Sequence, residues 1–170
     1  MYNISNTFNL IKTYNLTESY DFYKQYHQND TNIIIHIFCI PLIAWSLSVF
    51  LSKLVLFKIF NINIKANFFM LSLYHLFYSN YDEKYFIPMG IYLFLIYITS
   101  EMFIKLTKNY YYYAFIIHLF SWILQFIGHY FFEGNRPALT DSLGQALIAA
   151  PLFSYLDFKK TSISSKSPML

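Results

Sequence analysis

The sequence predicts an all-α protein: a polytopic membrane helical bundle of four to five spans with a short N-terminal amphipathic helix. Three observations predict it. Apolar residues make up 56% of the chain and charged residues only 12%, about half of the ~25% charge usual in soluble domains. Runs of 16 to 24 residues without Asp, Glu, Lys or Arg recur along the chain, and about 20 apolar residues cross a bilayer core of roughly 30 Å. Short polar turns separate these runs, as antiparallel helices require.

At 170 residues the chain reads as one domain. Residues 1–17 are polar and aromatic without a clean period and read as a loosely ordered segment. Residues 18–158 form a single membrane-embedded domain, and 159–170 a polar tail rich in Ser. The net charge of +3 comes from scattered lysines, so no basic face exists for nucleic acid. The lone Cys39 excludes an internal disulfide and makes no zinc framework. The N-terminal region lacks the charged start and apolar core of a signal peptide, so the first apolar segment is the expected insertion signal.

Taken in order, residues 18–27 place Tyr20, Tyr23 and His27 on one helical face. Such an aromatic face with sparse charge suits the headgroup layer. Residues 31–52 form the first span, with Pro41 inside it; a proline is tolerated there when neighbours satisfy the carbonyl it frees. Lys53, Lys58 and Lys65 mark the following loop or helix end. Residues 66–81 form a second, short run, and Asp82, Glu83 and Lys84 a polar turn. Residues 85–106 give a third span, in which Glu101 is expected to cap the end and pair with Lys105 at i+4. Residues 109–132 give a fourth, opening on the interfacial aromatics Tyr110 to Tyr113. Residues 139–158 are either a fifth span or a half-inserted segment, interrupted by Gly144 and Pro151.

Antiparallel threading turns sequence position into depth. His27 precedes the first span and His36 lies just over one turn inside it, His75 near the end of the second, and His129 near the end of the fourth. All four are expected at one membrane face. His118 precedes His129 by 11 residues, about 16 Å along a helix, so it lines a deeper part of the same wall and shares no metal with it. Glu133 follows His129 by four residues and faces the same way on a continuous helix. Two histidines and a carboxylate with open positions are the arrangement of non-haem Fe(II) oxygenases. Arg136 is suited to bind a substrate carboxylate bidentately or to pair with Glu133. Pro137 and Asp141 read as the start of the last segment.

Two blocks carry a family resemblance. The first is Tyr23-Lys-Gln-Tyr26-His27-Gln-Asn-Asp-Thr-Asn32-Ile-Ile-Ile-His36, followed by Pro41. The second is Trp122-Ile-Leu-Gln125-Phe-Ile-Gly128-His129-Tyr-Phe-Phe-Glu133-Gly-Asn-Arg136-Pro137-Ala138-Leu139, continuing through Asp141 to Phe153. Together they resemble the small polytopic membrane proteins described as 2-hydroxy fatty acid dioxygenases, which act in fatty-acid α-oxidation and hence in lipid metabolism and sphingolipid degradation. Residues 52–108 resemble that family only in hydropathy. The resemblance implies that 18–158 is a catalytic domain using Fe(2+) and O2 to shorten a 2-hydroxy fatty acid by one carbon. It implies catalytic, metal-binding roles for His27, His36 and His129; His75 and His118 are not carried over from the family. The residues' own spacing and chemistry, not the resemblance, offer Glu133 as a catalytic fourth ligand or orienter and Arg136 and His118 as substrate-binding residues. One departure is Asp30, which stands where the family usually has a proline.

Two other readings compete. A di-iron lipid hydroxylase needs about eight histidines in closely spaced boxes, and this chain has five. A non-catalytic transporter or scaffold would use its histidines for proton relay or local pairing. The resemblance implies an integral membrane protein, of the endoplasmic reticulum if eukaryotic or the inner membrane if bacterial. The lysine distribution leaves orientation open, because it reverses if the last segment does not span. Oligomeric state is not encoded in any feature of the sequence.

Overall fold

The computed structural model describes residues 16–137 and 148–164. The readings made for residues 1–15, for Asp141 and Gly144, and for residues 165–170 lie outside the described residues. In chain order the elements are α1 (Leu16–Gln25), α2 (Asp30–Leu51), strands β1 (Val55–Ile59) and β2 (Ile62–Lys65), and α3 (Ala66–Tyr81). A 3-10 turn (Glu83–Tyr85) leads into α4 (Phe86–Leu106), followed by α5 (Tyr110–Ile127). Helix α5 runs on as a π-helix (Gly128–Glu133), and α6 (Ala150–Ser164) closes the described chain.

Among the described residues, three helical stretches are long and apolar enough to cross a membrane: Asp30–Leu51, Glu83–Leu106 and Tyr110–Glu133. Large apolar side chains on them (Phe38, Ile91, Phe94, Phe115, Phe120) are exposed. Helix α3 has 16 residues and α6 has 15.

The chain forms two compact units. One contains residues 45–115 together with 16–19, and the other residues 20–44, 116–137 and 148–164. Helices α2 and α5 each run from one unit into the other.

In the first unit Val49, Leu71, Tyr78, Met89 and Leu93 are buried. Residues 53–65 correct the expectation of a loop or helix end. They form an antiparallel hairpin closed by Phe60 and Asn61, both at positive φ (43° and 67°). Two consecutive left-handed residues make the type I′ turn whose twist matches the flanking strands. The β-branched residues at Val55, Ile59, Ile62 and Ile64 supply the strand preference. Glu101 also departs from expectation, since its ion pair is with Lys65 at 2.6 Å. Its other oxygen accepts from Asn67 Nδ2 at 2.9 Å, Asn67 approaches Ser48 Oγ at 3.5 Å, and Ser48 bonds Ser100 at 2.8 Å. A carboxylate within a span thus lies in a network that neutralises it.

In the second unit α1 packs on α6 through aromatic contacts. Tyr20 and Tyr23 meet Phe153 at ring-centroid distances of 5.3 and 5.0 Å. The Tyr20 hydroxyl donates to Asp157 at 2.6 Å. Helix α1 ends at Gln25, and Asn29 starts the next helix: its side-chain oxygen accepts from Thr31 N at 2.9 Å and its carbonyl from Ile33 N at 3.0 Å. Asp30 is then the first helical residue, exposed. Proline and acidic residues both suit that position, proline by its fixed φ and aspartate by the helix dipole. The departure from the family pattern is therefore conservative.

Pro41 has no N–H to give the Ile37 carbonyl four residues back. The buried Ser154 hydroxyl on α6 reaches that oxygen at 3.5 Å. A neighbouring helix supplies the partner, as the sequence requires of a proline inside a span.

Candidate metal centre

His27 comes to the site on the turn after α1. Two short-range backbone bonds, Tyr26 N to Tyr23 O and His27 N to Lys24 O, tighten the helix end and bring the imidazole back over the Tyr23 ring. The two rings stack at 3.9 Å. His27 Nδ1 lies 2.9 Å from the Tyr23 carbonyl, so that nitrogen carries the proton and Nε2 the lone pair. His36, one turn after Asn32 on α2, repeats the device, with Nδ1 2.9 Å from the Asn32 carbonyl. Both rings are thus fixed in one tautomer by a backbone acceptor, as metal-ligating histidines usually are.

His129 reaches the same place because Gly128 lets α5 approach α2. A Cβ at Gly128 would fall 2.3 Å from Asn32 Oδ1 and 3.4 Å from Ile35, so any other residue there displaces the buried Asn32 side chain that bonds Glu133. From Gly128 the winding widens into a π-helix, which ends at Gly134 with φ 63°. The Asn135 N–H closes the end onto the His129 carbonyl at 3.3 Å. Such widened turns recur at functional sites.

The three imidazoles stand nearly perpendicular to one another, with centroids 4.4, 4.8 and 4.9 Å apart. One ring nitrogen from each lies within 4.8 Å of the others, and all three residues are buried. Two nitrogens, His27 Nε2 and His129 Nδ1, have no hydrogen-bond partner. A buried polar atom without a partner costs free energy, and two of them converging with a third donor fit a cation. Burial pushes His27 down to about 3, so it is a neutral ligand at physiological pH. Three imidazole nitrogens suit a transition metal rather than Mg or Ca.

Glu133 does not stand in this cluster as a fourth member. Its Oε1 accepts from Gln28 N at 2.8 Å, Asn29 N at 2.9 Å and Asn32 Nδ2 at 3.0 Å. The end of the second sequence block is thereby bonded to the turn that carries His27 and to the helix that carries His36. This clamp was not legible in the sequence beyond the presence of a carboxylate. Asn32, fully buried, was missed as a functional residue although a signal existed: a polar residue in a charge-free run, one turn before a histidine.

The remaining predicted residues separate. Arg136 is exposed, and with His129 it lines an open cleft of about 850 Å³ whose other walls include Ile123, Phe126, Ile127 and Phe131. His118 accepts from Trp122 Nε1 at 3.1 Å and is half-buried. His75 belongs to the other unit, where it packs on Phe86 at 4.8 Å and fills the space over Gly90. Of the four histidines expected at one face, the structure brings three together. Gln125, one turn before His129, is buried with its side-chain nitrogen unpartnered, a feature that its place in an apolar run could have flagged.

Comparison with known proteins adds two findings. Residues 13–161 match the Mpo1-like family, described as 2-hydroxy-palmitic acid dioxygenase Mpo1-like. The chain is 33% identical over 138 residues to the 2-hydroxy-palmitic acid dioxygenase MPO1 of Saccharomyces cerevisiae, covering 81% of this chain and 75% of that protein. No solved structure matches it.

Proposed function

This chain belongs to the Mpo1-like family, and from that premise we propose that it is an integral membrane Fe(II)-dependent dioxygenase that shortens 2-hydroxy fatty acids by one carbon. The carrying observation is the pair of unpartnered nitrogens on His27 and His129, converging with the ring of His36 in a buried pocket. His27, His36 and His129 hold the metal. Fe(II) bound there would supply the redox chemistry with O2 that the amino acids lack. The overall reaction balances without another reductant: R–CH(OH)–COOH and O2 give R–COOH, CO2 and H2O.

The chain's own residues do the rest. The Tyr23 and Asn32 carbonyls hold two imidazoles in the ligating tautomer. Glu133 sets the distance between the His27 turn and α5. Arg136, on the cleft that reaches His129, pairs with the substrate carboxylate. The apolar cleft wall takes the acyl chain, and exposed Phe126 and Phe131 leave it open to the bilayer as the source of substrate. His118, whose ring nitrogen is engaged by Trp122, is left a packing role along that chain. The aromatic face of α1, expected in the headgroup layer, is instead turned onto Phe153 and His27; we further assign α3 and the last segment as additional spans that bring the bundle to four or five.

The test is a product assay on purified, iron-loaded protein with a 2-hydroxy fatty acid. The expected result is an acid one carbon shorter, one O2 consumed per acid, and no turnover of the unhydroxylated acid. Oxygen uptake without chain shortening overturns the reaction assignment. No bound metal at all favours a transporter or scaffold.

A further inference from the structure

The hairpin Val55–Lys65 is two-sided: the pairs Phe57–Ile64 and Ile59–Ile62 share one side, and Lys58–Asn63 lies on the other. Val55, Leu56, Phe57, Ile59 and Ile62 are all exposed, and Phe60 at the tip is 96% exposed. In a water-soluble protein such an apolar side is turned onto a core, whereas here Phe57, Ile59 and Ile62 on it stay exposed. The hairpin also cannot enter the hydrocarbon core. A two-stranded sheet has two outer edges with unpaired N–H and C=O groups, which are not tolerated against lipid tails. Lys58, within β1, adds a charge that has to reach water or phosphate.

The hairpin's attachment fixes where it stands. It starts four residues after Leu51, the end of a candidate span, and β2 runs without a break into α3. The Ala66 N–H closes its base on the Leu54 carbonyl at 2.8 Å, and Phe57 meets Phe69 of α3 at 6.2 Å. Lys53 at the base lies over the Tyr110 ring at 5.8 Å, a cation and an aromatic of the kind found at membrane–water boundaries. The turn is built on Phe60 in the left-handed region, where glycine or asparagine is the ordinary choice. A large apolar ring in a strained conformation and almost wholly exposed is a feature that an occupant outside the chain would cover.

We infer that this hairpin is an interfacial anchor: it lies in the layer between headgroups and acyl chains, with Phe60 as the inserting wedge and Lys58 and Lys53 toward lipid phosphates. Water and headgroups satisfy the strand edges, while acyl carbons cover the apolar side chains. The occupant is the lipid surface itself. The inference rests on the membrane part of the proposed function and is independent of the metal.

The experiment uses the full chain in vesicles of phosphatidylcholine with a minor share of phosphatidylserine. Nitroxides are placed one at a time through Phe60→Cys, Ile62→Cys, Lys53→Cys and Phe94→Cys, each with the buried Cys39 replaced by Ser. Relaxation by oxygen and by a water-soluble paramagnetic chelate then reports depth. The expected order is Phe94 deepest, Phe60 and Ile62 below the phosphates but shallower than Phe94, and Lys53 nearest water. Chelate access at Phe60 and Ile62 equal to that at Lys53 overturns the anchor, and so does a depth equal to that of Phe94. A Phe94 label open to the chelate overturns the membrane reading as well, which separates the two failures.

Discussion

Both units bury a polar cluster among apolar helices, and the two clusters are resolved differently. Around Glu101 the network closes on itself: Lys65, Asn67, Ser48 and Ser100 each find a partner within it. Around His129 it does not close, because His27 Nε2 and His129 Nδ1 are buried and bonded to nothing. A closed network fixes helices in place and asks for nothing else. An open one, built from three metal-type donors, is shaped for a ligand. Burial of polar groups among apolar helices marks both places; only the hydrogen-bond partners tell structure from site.

Substitutions that separate the two clusters test the contrast. The largest effect is expected from His36→Ala or His129→Ala, which remove a metal donor. Bound metal and turnover fall by more than a thousandfold while the folded state survives, read by metal analysis and product assay together. Full activity in either variant sinks the ligand assignment. Glu133→Ala comes next. It frees the His27 turn without removing a donor, and loss of a residue that supports metal ligands typically costs 10–100-fold in affinity or activity. Glu133→Gln keeps an oxygen for the Gln28 and Asn29 N–H groups and recovers most of that loss, whereas a ligating Glu133 would leave Gln as impaired as Ala.

Glu101→Ala acts on the closed cluster and has the opposite signature. Asn67 and the partly solvated Lys65 lose their acceptor, which costs about 1–3 kcal/mol of stability, and metal per chain stays unchanged. Loss of metal in this variant would show that the two clusters are not distinct in function. Similar in size is the effect of pH on metal-free protein. Folding disfavours the proton on His27, so the unfolded chain binds it first. Its contribution is present above about 6.5 and declines by up to about 1.4 kcal/mol per unit as pH falls from 6.5 toward 3. Unfolding midpoints at pH 7 and 5 measure it, and His27→Gln flattens the slope.

Much of this was legible in the residues. Charge-free runs locate the three candidate spans to within a residue or two at most ends, because the solvent demands them. Topology then brings His27, His36 and His129 together from positions 102 residues apart at the extremes, and the family resemblance named the same three. Pairings between elements were less legible. Lys65 as the partner of Glu101, and the Glu133 clamp on Gln28 and Asn29, depend on tertiary placement that no local period encodes. His75 shows the limit of reasoning from depth. Alternating spans give a residue's height and not its rotation, and His75 is turned onto Phe86 and Gly90 within its own unit. The hairpin was hidden by the absence of glycine from its turn, since Phe60 takes a conformation that its residue type disfavours.

The most direct test of the central claim is divalent metal per chain, measured on purified protein for the unmodified sequence, His36→Ala and Glu101→Gln side by side. The account predicts one iron per chain for the unmodified protein and for Glu101→Gln, and essentially none for His36→Ala. Equal metal content in all three, or none in the unmodified protein after iron loading, would contradict it.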